Sequence, residues 1–570
     1  MLLFFLVPFE FLLPGYAWIR FSCLNKRFGV MGTLAVSFIL SISFTSLSTA
    51  GLSLVTSHYL TYSVGVSLGL SLILLVASFR RRNPVRSSLP KFDRTMLPVI
   101  ATACVYVVIL ASLFWSSPFY PTADADDPIA HAQLVQAISD GLARTMLLHS
   151  NYAVGMHFVA AVLVRLLGVD SLDAIRFLLS LVIVVSIFLT YFCARSLLGS
   201  QHANLAVIVS AFVVPADAIH FIKVGTFPNV LSDAIVIAML WLIASYTREP
   251  NYTLGGTLTF LAVTGLFVHS SFLVFLAVLW LAIPVFFVSH RGYFRNYLKS
   301  LLFASGGLLA LFLLLGSFAS ANFGRIFTAY VASSFSSISV SSVLLYLQVL
   351  VWNYFALFSP LAAISVIAAV VFTLAKRRNA VWPVFLCLWF GLLMVTAFVS
   401  PQDWRFVLLS MVPASFLLTS LIGSLRELGS LSTRMKWSRA MRMLVPIFIC
   451  ALILSGSFVS LLPRVFDPSS RTKEEAIFNS MSWLKQNDKG QGVASVGLSA
   501  DYRYLTTLTG ITYAGDFNES ANSTVTQARG AEFAYVAVAL QSPQLPTFQS
   551  SSIVEEKYRN SVVVIFFIPG

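Results

Sequence analysis

Long apolar runs recur along the chain, and they constrain its fold more than any other feature. Fourteen of them lie roughly at 2–19, 28–50, 59–78, 95–117, 173–195, 203–219, 228–246, 254–270, 272–289, 300–320, 352–374, 381–399, 404–424 and 442–462. A helix needs about 20 apolar residues to cross a hydrocarbon core of ~30 Å, and most of these runs reach that length. The sequence therefore predicts a mainly α-helical, polytopic transmembrane bundle of about 14 spans.

The composition agrees with a membrane protein and excludes several other classes. Of the 570 residues, 58% are hydrophobic and 11% are charged, whereas a soluble domain carries about 25% charged residues. A soluble multidomain enzyme and a disordered scaffold are excluded on this ground. The net charge of +14 does not indicate a nucleic-acid partner, because most of it belongs to the loops between apolar runs.

The charged residues also divide the chain. Residues 464–570 contain 9 Lys and Arg and 10 Asp and Glu, and the preceding 463 residues contain 28 basic and 13 acidic groups. We therefore expect a three-span N-terminal region at 1–94, a transmembrane core with outer loops at 95–463, and a domain of soluble composition at 464–570. In the last domain an amphipathic helix at 470–485 and β-branched runs predict a small α/β fold, with an accessory role and no catalysis.

The basic loops orient the predicted spans. Lys and Arg concentrate in the cytoplasmic loops of membrane proteins, and the strongest basic loop runs from Arg80 to Arg94. Strict alternation from this loop places the other basic loops on the same side, provided that the short apolar run at 152–167 lies in the interface and does not cross. We expect a multi-pass protein of the cell membrane, with both termini and the C-terminal domain outside the cytoplasm.

The first long outer loop carries a cluster of acids. Asp124, Asp126 and Asp127 fall within four residues, and His131 follows one helical turn after Asp127. Carboxylates in such a cluster serve as a general base or bind a divalent cation. The alternative for Asp127 alone is a helix N-cap, because it precedes Pro128 at a predicted helix start. These four residues are the candidate catalytic groups.

Candidate substrate-binding residues lie in the other outer loops. The second outer loop brings a carboxylate, an imidazole and an ammonium group together, and a second carboxylate follows one turn into the next helix. Two further residues stand at predicted span ends. Arg405 is suited to bind a phosphate group, since a guanidinium group binds phosphate with two hydrogen bonds. The alternative roles are a membrane anchor for Arg405 and a helix-capping residue for His269. The set is Asp217, His220, Lys223, Asp233, His269 and Arg405.

At these loops the sequence resembles the GT-C superfamily of polytopic glycosyltransferases, which includes oligosaccharyltransferases and protein mannosyltransferases. The matching features are the acids at 124–127, His131, the Tyr152-x-x-Gly155-x-His157 stretch and the acidic loop at 215–233. The resemblance implies that sugar moves from a polyprenyl-phosphate donor to an acceptor outside the cytoplasm. It also implies that Asp126 or Asp127 is the base, that Asp217 or Asp233 is the second-loop carboxylate, and that Arg405 binds the lipid phosphate.

The expected partners are therefore the lipid bilayer, a polyprenyl-phosphate-sugar donor and a glycan, lipid or protein acceptor. The candidate cofactor is a divalent cation, Mg²⁺ or Mn²⁺, with no ligand set assigned. Two alternative functions stay open. A transporter or flippase would place charged groups at the centres of spans and would show repeated broken helices, and a non-catalytic protein of the same fold would use its acids as caps.

Overall fold

The computed structural model describes residues 5–80, 94–116, 127–149, 153–289, 291–314, 340–376, 380–399, 403–431, 437–463, 468–487, 492–498, 513–516, 521–530 and 533–569. The N-terminal helices are α1 (Leu6–Phe21), α2 (Asn25–Ser53), α3 (Tyr59–Arg80), α4 (Leu97–Ser116), α5 (Asp127–Ala137), α6 (Ala143–His149), α7 (Gly155–Leu167), α8 (Ser171–Leu197), α9 (Ser200–Ile208), α10 (Ala216–Ala218) and α11 (Phe227–Arg248). The second half of the bundle contains α12 (Tyr252–Val268), α13 (Phe272–Leu281), α14 (Ile283–Ser289), α15 (Arg291–Leu314), α16 (Val340–Phe358), α17 (Pro360–Lys376), α18 (Val381–Val399), α19 (Asp403–Leu431) and α20 (Trp437–Ser455).

The predicted helical membrane bundle is confirmed, whereas the predicted count of about 14 spans is not. Within the described ranges, nine helical segments are long and apolar enough to cross a membrane, or ten if α16 and α17 form one span bent by 107°. Several predicted runs become helices that are short for a crossing, such as α1 with 16 residues and α12 with 17. The count of fourteen therefore stays a prediction.

Two helices occupy the centre of the bundle. The apolar segments of α11 and α19 are completely buried inside the protein, because apolar side chains cover all of their faces. Helix α11 packs on α8 and α12, and α19 packs on α17, α18 and α20. Both helices also contact the segment between α9 and α11.

Helix α7 corresponds to the short run at 152–167. Its 13 residues span about 20 Å, which is less than the thickness of the hydrocarbon core. The expectation of an interfacial helix differs from the structure in one respect: α7 is buried on nearly all sides and packs against α2, α5 and α8. The exposed Arg165 lies in its last turn.

Glu10 is an acid inside the first predicted span, and α2 provides its partner. The side chain is completely buried, and its Oε1 accepts a hydrogen bond of 2.7 Å from Thr45 Oγ1. The contact joins α1 to α2, so this mid-span carboxyl group has a structural explanation.

The C-terminal residues form the expected α/β domain. Its strands are β1 (Val493–Val496), β2 (Tyr513–Asp516), β3 (Tyr535–Ala539), β4 (Glu555–Arg559) and β5 (Val563–Phe567), and its helices are α21 (Pro468–Asn487), α22 (Ala521–Gly530) and α23 (Leu545–Gln549). The sheet order is β2-β1-β3-β5-β4, with β1 parallel to β2 and β3 and with β5 antiparallel to β3 and β4. Alternate residues of β3 pack against α21 on one face and against α22 and α23 on the other.

Candidate functional site

The second outer loop is built by breaks in helical geometry between α9 and α11. After α9, a π-helical turn at Val209–Val213 leads to Pro215, the short helix α10 and a second π-helical turn at Ile219–Val224. Pro215 has no backbone N–H, which favours a break in the helix. Gly225 ends the second turn with φ of 72°, a left-handed conformation that glycine adopts without strain. These breaks place the loop beside the first turns of α11.

The loop and α11 bring two carboxylates and an imidazole together. Asp217, His220 and Asp233 each offer one ligand atom, and these atoms all lie within 4.8 Å of one another. His220 Nδ1 is 3.2 Å from Asp233 Oδ2. His220 is completely buried and Asp233 is 2% exposed, so the cluster lies inside the protein.

The donor atoms of this cluster fit a divalent cation. Asp217 Oδ1 and His220 Nε2 are buried and make no hydrogen bond, and such atoms lower stability unless a partner satisfies them. Carboxylate oxygen and imidazole nitrogen are ligands for Zn²⁺ and Mn²⁺, whereas Mg²⁺ prefers oxygen alone. A small cavity of about 40 Å³ adjoins Asp217, which is enough room for a few water molecules.

Lys223 lies half-buried in the second π-helical turn. The distances that define the cluster do not include this residue. Its role in substrate binding stays a prediction.

The first outer loop is described only from α5 onwards. Asp124 and Asp126 lie outside the described residues, and Asp127 begins α5, as the helix-start pattern predicts. His131 is 4% exposed, and its Nδ1 is 3.0 Å from Nε2 of His157 on α7. The ring of Phe227, at the start of α11, lies 5.7 Å from the His131 ring between centroids.

His157 is a residue of the site that the sequence-based candidates do not include. It lies in the first turn of an apolar helix, where a histidine is usually a core residue, and its position in the Gly155-x-His157 stretch is the only sequence signal. Burial lowers the pKa of His157 to about 3, and the Val154 carbonyl group acts in the opposite direction by raising this pKa. Burial also lowers the pKa of His131 well below its usual value, with smaller contributions from His157, His269 and Arg405.

His269 and Arg405 complete the site. His269 follows α12, and its Nδ1 is 2.6 Å from Ser271 Oγ. Arg405 lies in the first turn of α19, and its guanidinium group stands 5.1 Å from the Trp404 ring. His269 is close enough to Arg405 and to His220 to interact electrostatically with both, and His131 interacts with both His269 and Arg405.

The structure therefore joins residues from four parts of the chain at one end of the bundle. The α5 helix contributes His131, and the second outer loop and α11 contribute the carboxylate–histidine cluster. The segment after α12 contributes His269, and the start of α19 contributes Arg405. An imidazole-rich, buried site with a metal-binding set and a cation beside it is suited to hold a phosphorylated ligand.

The helical membrane bundle and the small α/β domain together resemble the fold of solved GT-C glycosyltransferases. Comparison with solved structures shows this fold. One similar structure is ArnT from Cupriavidus metallidurans bound to undecaprenyl phosphate, which is 12% identical in sequence. The match covers 82% of this chain and 97% of the ArnT chain, with a TM-score of 0.51. The oligosaccharyltransferase of Archaeoglobus fulgidus, in complex with Zn and sulfate, is 11% identical, with coverage of 78% and 68% and a TM-score of 0.50. No protein-family model and no curated protein matches the sequence.

Proposed function

We propose that the protein is an integral membrane glycosyltransferase that moves a sugar from a polyprenyl-phosphate donor to an acceptor at the outer membrane face. The observation that carries this proposal is the convergence of the Asp217–His220–Asp233 cluster with His131, His269 and Arg405. A transfer of this kind needs a base for the acceptor and groups that stabilise the departing phosphate, and the site offers both kinds of side chain.

The donor phosphate is assigned to the cationic part of the site. Arg405 stands at the beginning of a central helix, where its guanidinium group combines with the partial positive charge of the helix N-terminus. The lipid of such a donor keeps its phosphate at the membrane boundary, which is also where the outer end of α19 is expected to lie. The solved ArnT complex contains undecaprenyl phosphate, which supports a polyprenyl phosphate as the lipid.

The cation is assigned to Asp217, His220 and Asp233. When bound there, a divalent cation would supply positive charge that stabilises the phosphate oxygen atoms. The related oligosaccharyltransferase was solved with Zn, which supports a metal in proteins of this fold. The imidazole ligand favours Mn²⁺ or Zn²⁺ over Mg²⁺.

The base is assigned to the first outer loop. One of Asp124, Asp126 and Asp127 accepts the proton of the acceptor hydroxyl or amide group. The acceptor atom forms a bond to the anomeric carbon, the bond from that carbon to the phosphate oxygen breaks, and the polyprenyl phosphate leaves with the electron pair. A single base gives inversion at the anomeric carbon.

The test is sugar transfer by the purified protein in lipid nanodiscs, with labelled sugars on polyprenyl phosphate. Arg405→Lys retains the positive charge but loses the bidentate hydrogen bonding of the guanidinium group to phosphate. We therefore expect the rate of sugar transfer to fall by about 10-fold or more. Arg195→Lys is the matched control, because Arg195 is exposed in the last turn of α8.

Two results of the same assay would contradict the proposal. Undiminished transfer by each of Asp124→Asn, Asp126→Asn and Asp127→Asn would remove all three residues as the base. Absence of transfer by the wild type with every polyprenyl-phosphate sugar, together with movement of a lipid-linked sugar across the bilayer, would favour a flippase. The bend of 107° between α16 and α17 is the feature that keeps this second function under test.

A further inference from the structure

Two buried polar side chains stand at the start of α11, beside the carboxylate–histidine cluster. Thr226 is the N-cap residue of α11 and Asn229 lies in its first turn, and each is 2% exposed. Within the ranges that the structure describes, Thr226 Oγ1 and Asn229 Nδ2 make no hydrogen bond. Buried polar side-chain atoms normally have a partner, and an unpaired one lowers stability. A ligand with oxygen atoms is the kind of partner that suits both side chains.

Helix geometry and one backbone hydrogen bond place the two residues next to the cluster. Asn229 precedes Asp233 by four residues in α11, and residues four apart lie on the same face of a helix with their Cβ atoms about 5–6 Å apart. The backbone N–H group of Thr226 donates a hydrogen bond of 3.0 Å to the carbonyl oxygen of His220. Thr226 and Asn229 are therefore neighbours of the proposed cation.

The proposed cation does not satisfy the amide group of Asn229. A cation binds lone pairs, such as those of carboxylate oxygen and imidazole nitrogen, whereas the NH₂ group of asparagine serves only as a hydrogen-bond donor. Asn229 Nδ2 therefore requires an acceptor. An anionic oxygen atom can bind a cation and accept a hydrogen bond at the same time, and hydrogen bonds to ionised acceptors are about twice as strong as those between neutral groups.

The other features of the helix start favour the same negative charge. A threonine at an N-cap usually accepts a hydrogen bond from its own helix, but the Thr226 side chain makes no capping bond, which leaves its hydroxyl group for a ligand. Helix α11 is 22 residues long, and the N-terminus of such a helix has a partial positive charge that attracts anions. The hydroxyl group, the amide group, the helix dipole and the proposed cation therefore all favour one anion.

We propose that Asn229 and Thr226 bind a phosphate oxygen of the polyprenyl-phosphate donor on the side of the cation. Asn229 Nδ2 and the Thr226 hydroxyl group donate hydrogen bonds to the phosphate group, and Arg405 binds the same group from the start of α19. The inference rests on the proposed function and adds two substrate-binding residues to it. Neither residue makes or breaks a covalent bond, so both act on the affinity for the phosphate and on the orientation of the donor.

The test measures the Kd of undecaprenyl phosphate for the purified full-length protein in the presence of Mn²⁺. Asn229→Leu retains the size of the side chain and removes its donor, so we expect the Kd to rise by about 10-fold or more, as for the loss of a hydrogen bond to a charged group. The matched control is Asn296→Leu, because Asn296 Nδ2 already donates a hydrogen bond of 3.1 Å to the Thr247 carbonyl oxygen, near the other end of α11. An unchanged Kd in Asn229→Leu would overturn the proposal.

A second variant separates binding of the phosphate from support of the cation site. Asn229→Asp retains the shape of the side chain and places a negative charge where the phosphate oxygen is assigned. We expect this variant to lose most of its affinity for undecaprenyl phosphate, whereas Mn²⁺ should raise its unfolding temperature at least as much as that of the wild type, since a further carboxylate favours a cation. Loss of both responses would make Asn229 a support of the cation site alone and would overturn the proposal.

Two further ligands identify what the residues recognise. Undecaprenol has the lipid chain without the phosphate, so its affinity should be the same for the wild type and Asn229→Leu; an equal loss of affinity for undecaprenol would overturn the assignment to phosphate. Inorganic phosphate at the same concentration should not displace the lipid, and displacement would assign the site to free phosphate instead.

The binding measurements are independent of sugar transfer. Binding of undecaprenyl phosphate that depends on Asn229, in a protein that transfers no sugar, would contradict only the proposed transferase activity. Sugar transfer by the wild type with an unchanged Kd in Asn229→Leu would contradict only the role of Asn229.

Discussion

At the scale of single residues, the unusual feature is the number of buried polar atoms at one place. Asp217 Oδ1 and His220 Nε2 are buried and make no hydrogen bond, and Asp233 lies within ligand distance of both residues. Buried carboxylates and imidazoles are normally satisfied. The proposed cation would satisfy all three side chains at once.

Removal of the metal is therefore expected to lower stability. Chelation should lower the unfolding temperature of the purified protein, and Mn²⁺ or Zn²⁺ should restore it, because a ligand at 100 times its Kd stabilises the folded state by about 2.7 kcal/mol. Asp233→Asn and Asp217→Asn should abolish the shift, and Asp140→Asn, an exposed acid on the π-helical turn after α5, should retain it. If no divalent ion shifts the unfolding of the wild type, the assignment of the metal site is wrong.

At the scale of secondary-structure elements, tertiary packing gives α7 a position that its sequence leaves open. From sequence it is a short apolar run of ambiguous position, whereas in the structure it is a buried helix that delivers His157 to His131. Gly155 allows this helix to approach the end of α12. A Cβ atom at this position would lie 2.8 Å from the carbonyl oxygen of Phe267, closer than non-bonded atoms come.

Gly155→Ala is expected to destabilise the protein by about 1–3 kcal/mol, since the backbone of α7 or α12 must shift to admit the methyl group. The displacement of α7 should also weaken the contact between His157 and His131. Gly65→Ala is the matched control: Gly65 is helical, exposed, and has no atoms within 4 Å of the added Cβ, so alanine should be neutral or stabilising. Thermal unfolding of both variants checks the difference, and equal stability would contradict the close approach.

At the scale of the whole molecule, the folded state holds buried imidazoles that unfolding would expose. The pKa of His157 is about 3 in the folded state and has an ordinary value of 6.5. Between these two values the unfolded chain binds more protons than the folded chain, so this contribution to stability is complete above about pH 6.5 and is lost as the pH falls.

The unfolding temperature of the wild type should therefore decrease as the pH is lowered from 6.5 towards 3. His157→Gln should show a smaller decrease over the same range, because glutamine does not titrate. His58, which is exposed between α2 and α3, is the control position, and His58→Gln should follow the wild type. Parallel curves for the wild type and His157→Gln would contradict the buried neutral state of His157.

The sequence by itself determined the class of protein and the residue types of its site. Apolar runs of spanning length admit only a helical bundle, because the backbone of a segment in lipid must satisfy its own hydrogen bonds. The β-branched runs after residue 490, together with an amphipathic helix before them, predict the small α/β domain. Resemblance at the outer loops also indicates the fold, and the sequence alone predicts the second-loop residues Asp217, His220 and Asp233 as candidates.

Only the tertiary structure decided which of these residues meet. The close approach at Gly155 and the burial of α7 arise from packing between helices that are distant in the chain. Hydrophobic periodicity predicts which face of a helix is buried but not which helix covers that face. Nothing in the local sequence therefore predicts that His131 and His157 lie in contact. For the same physical reason, the length of an apolar run did not determine how a short helix such as α7 packs against its neighbours.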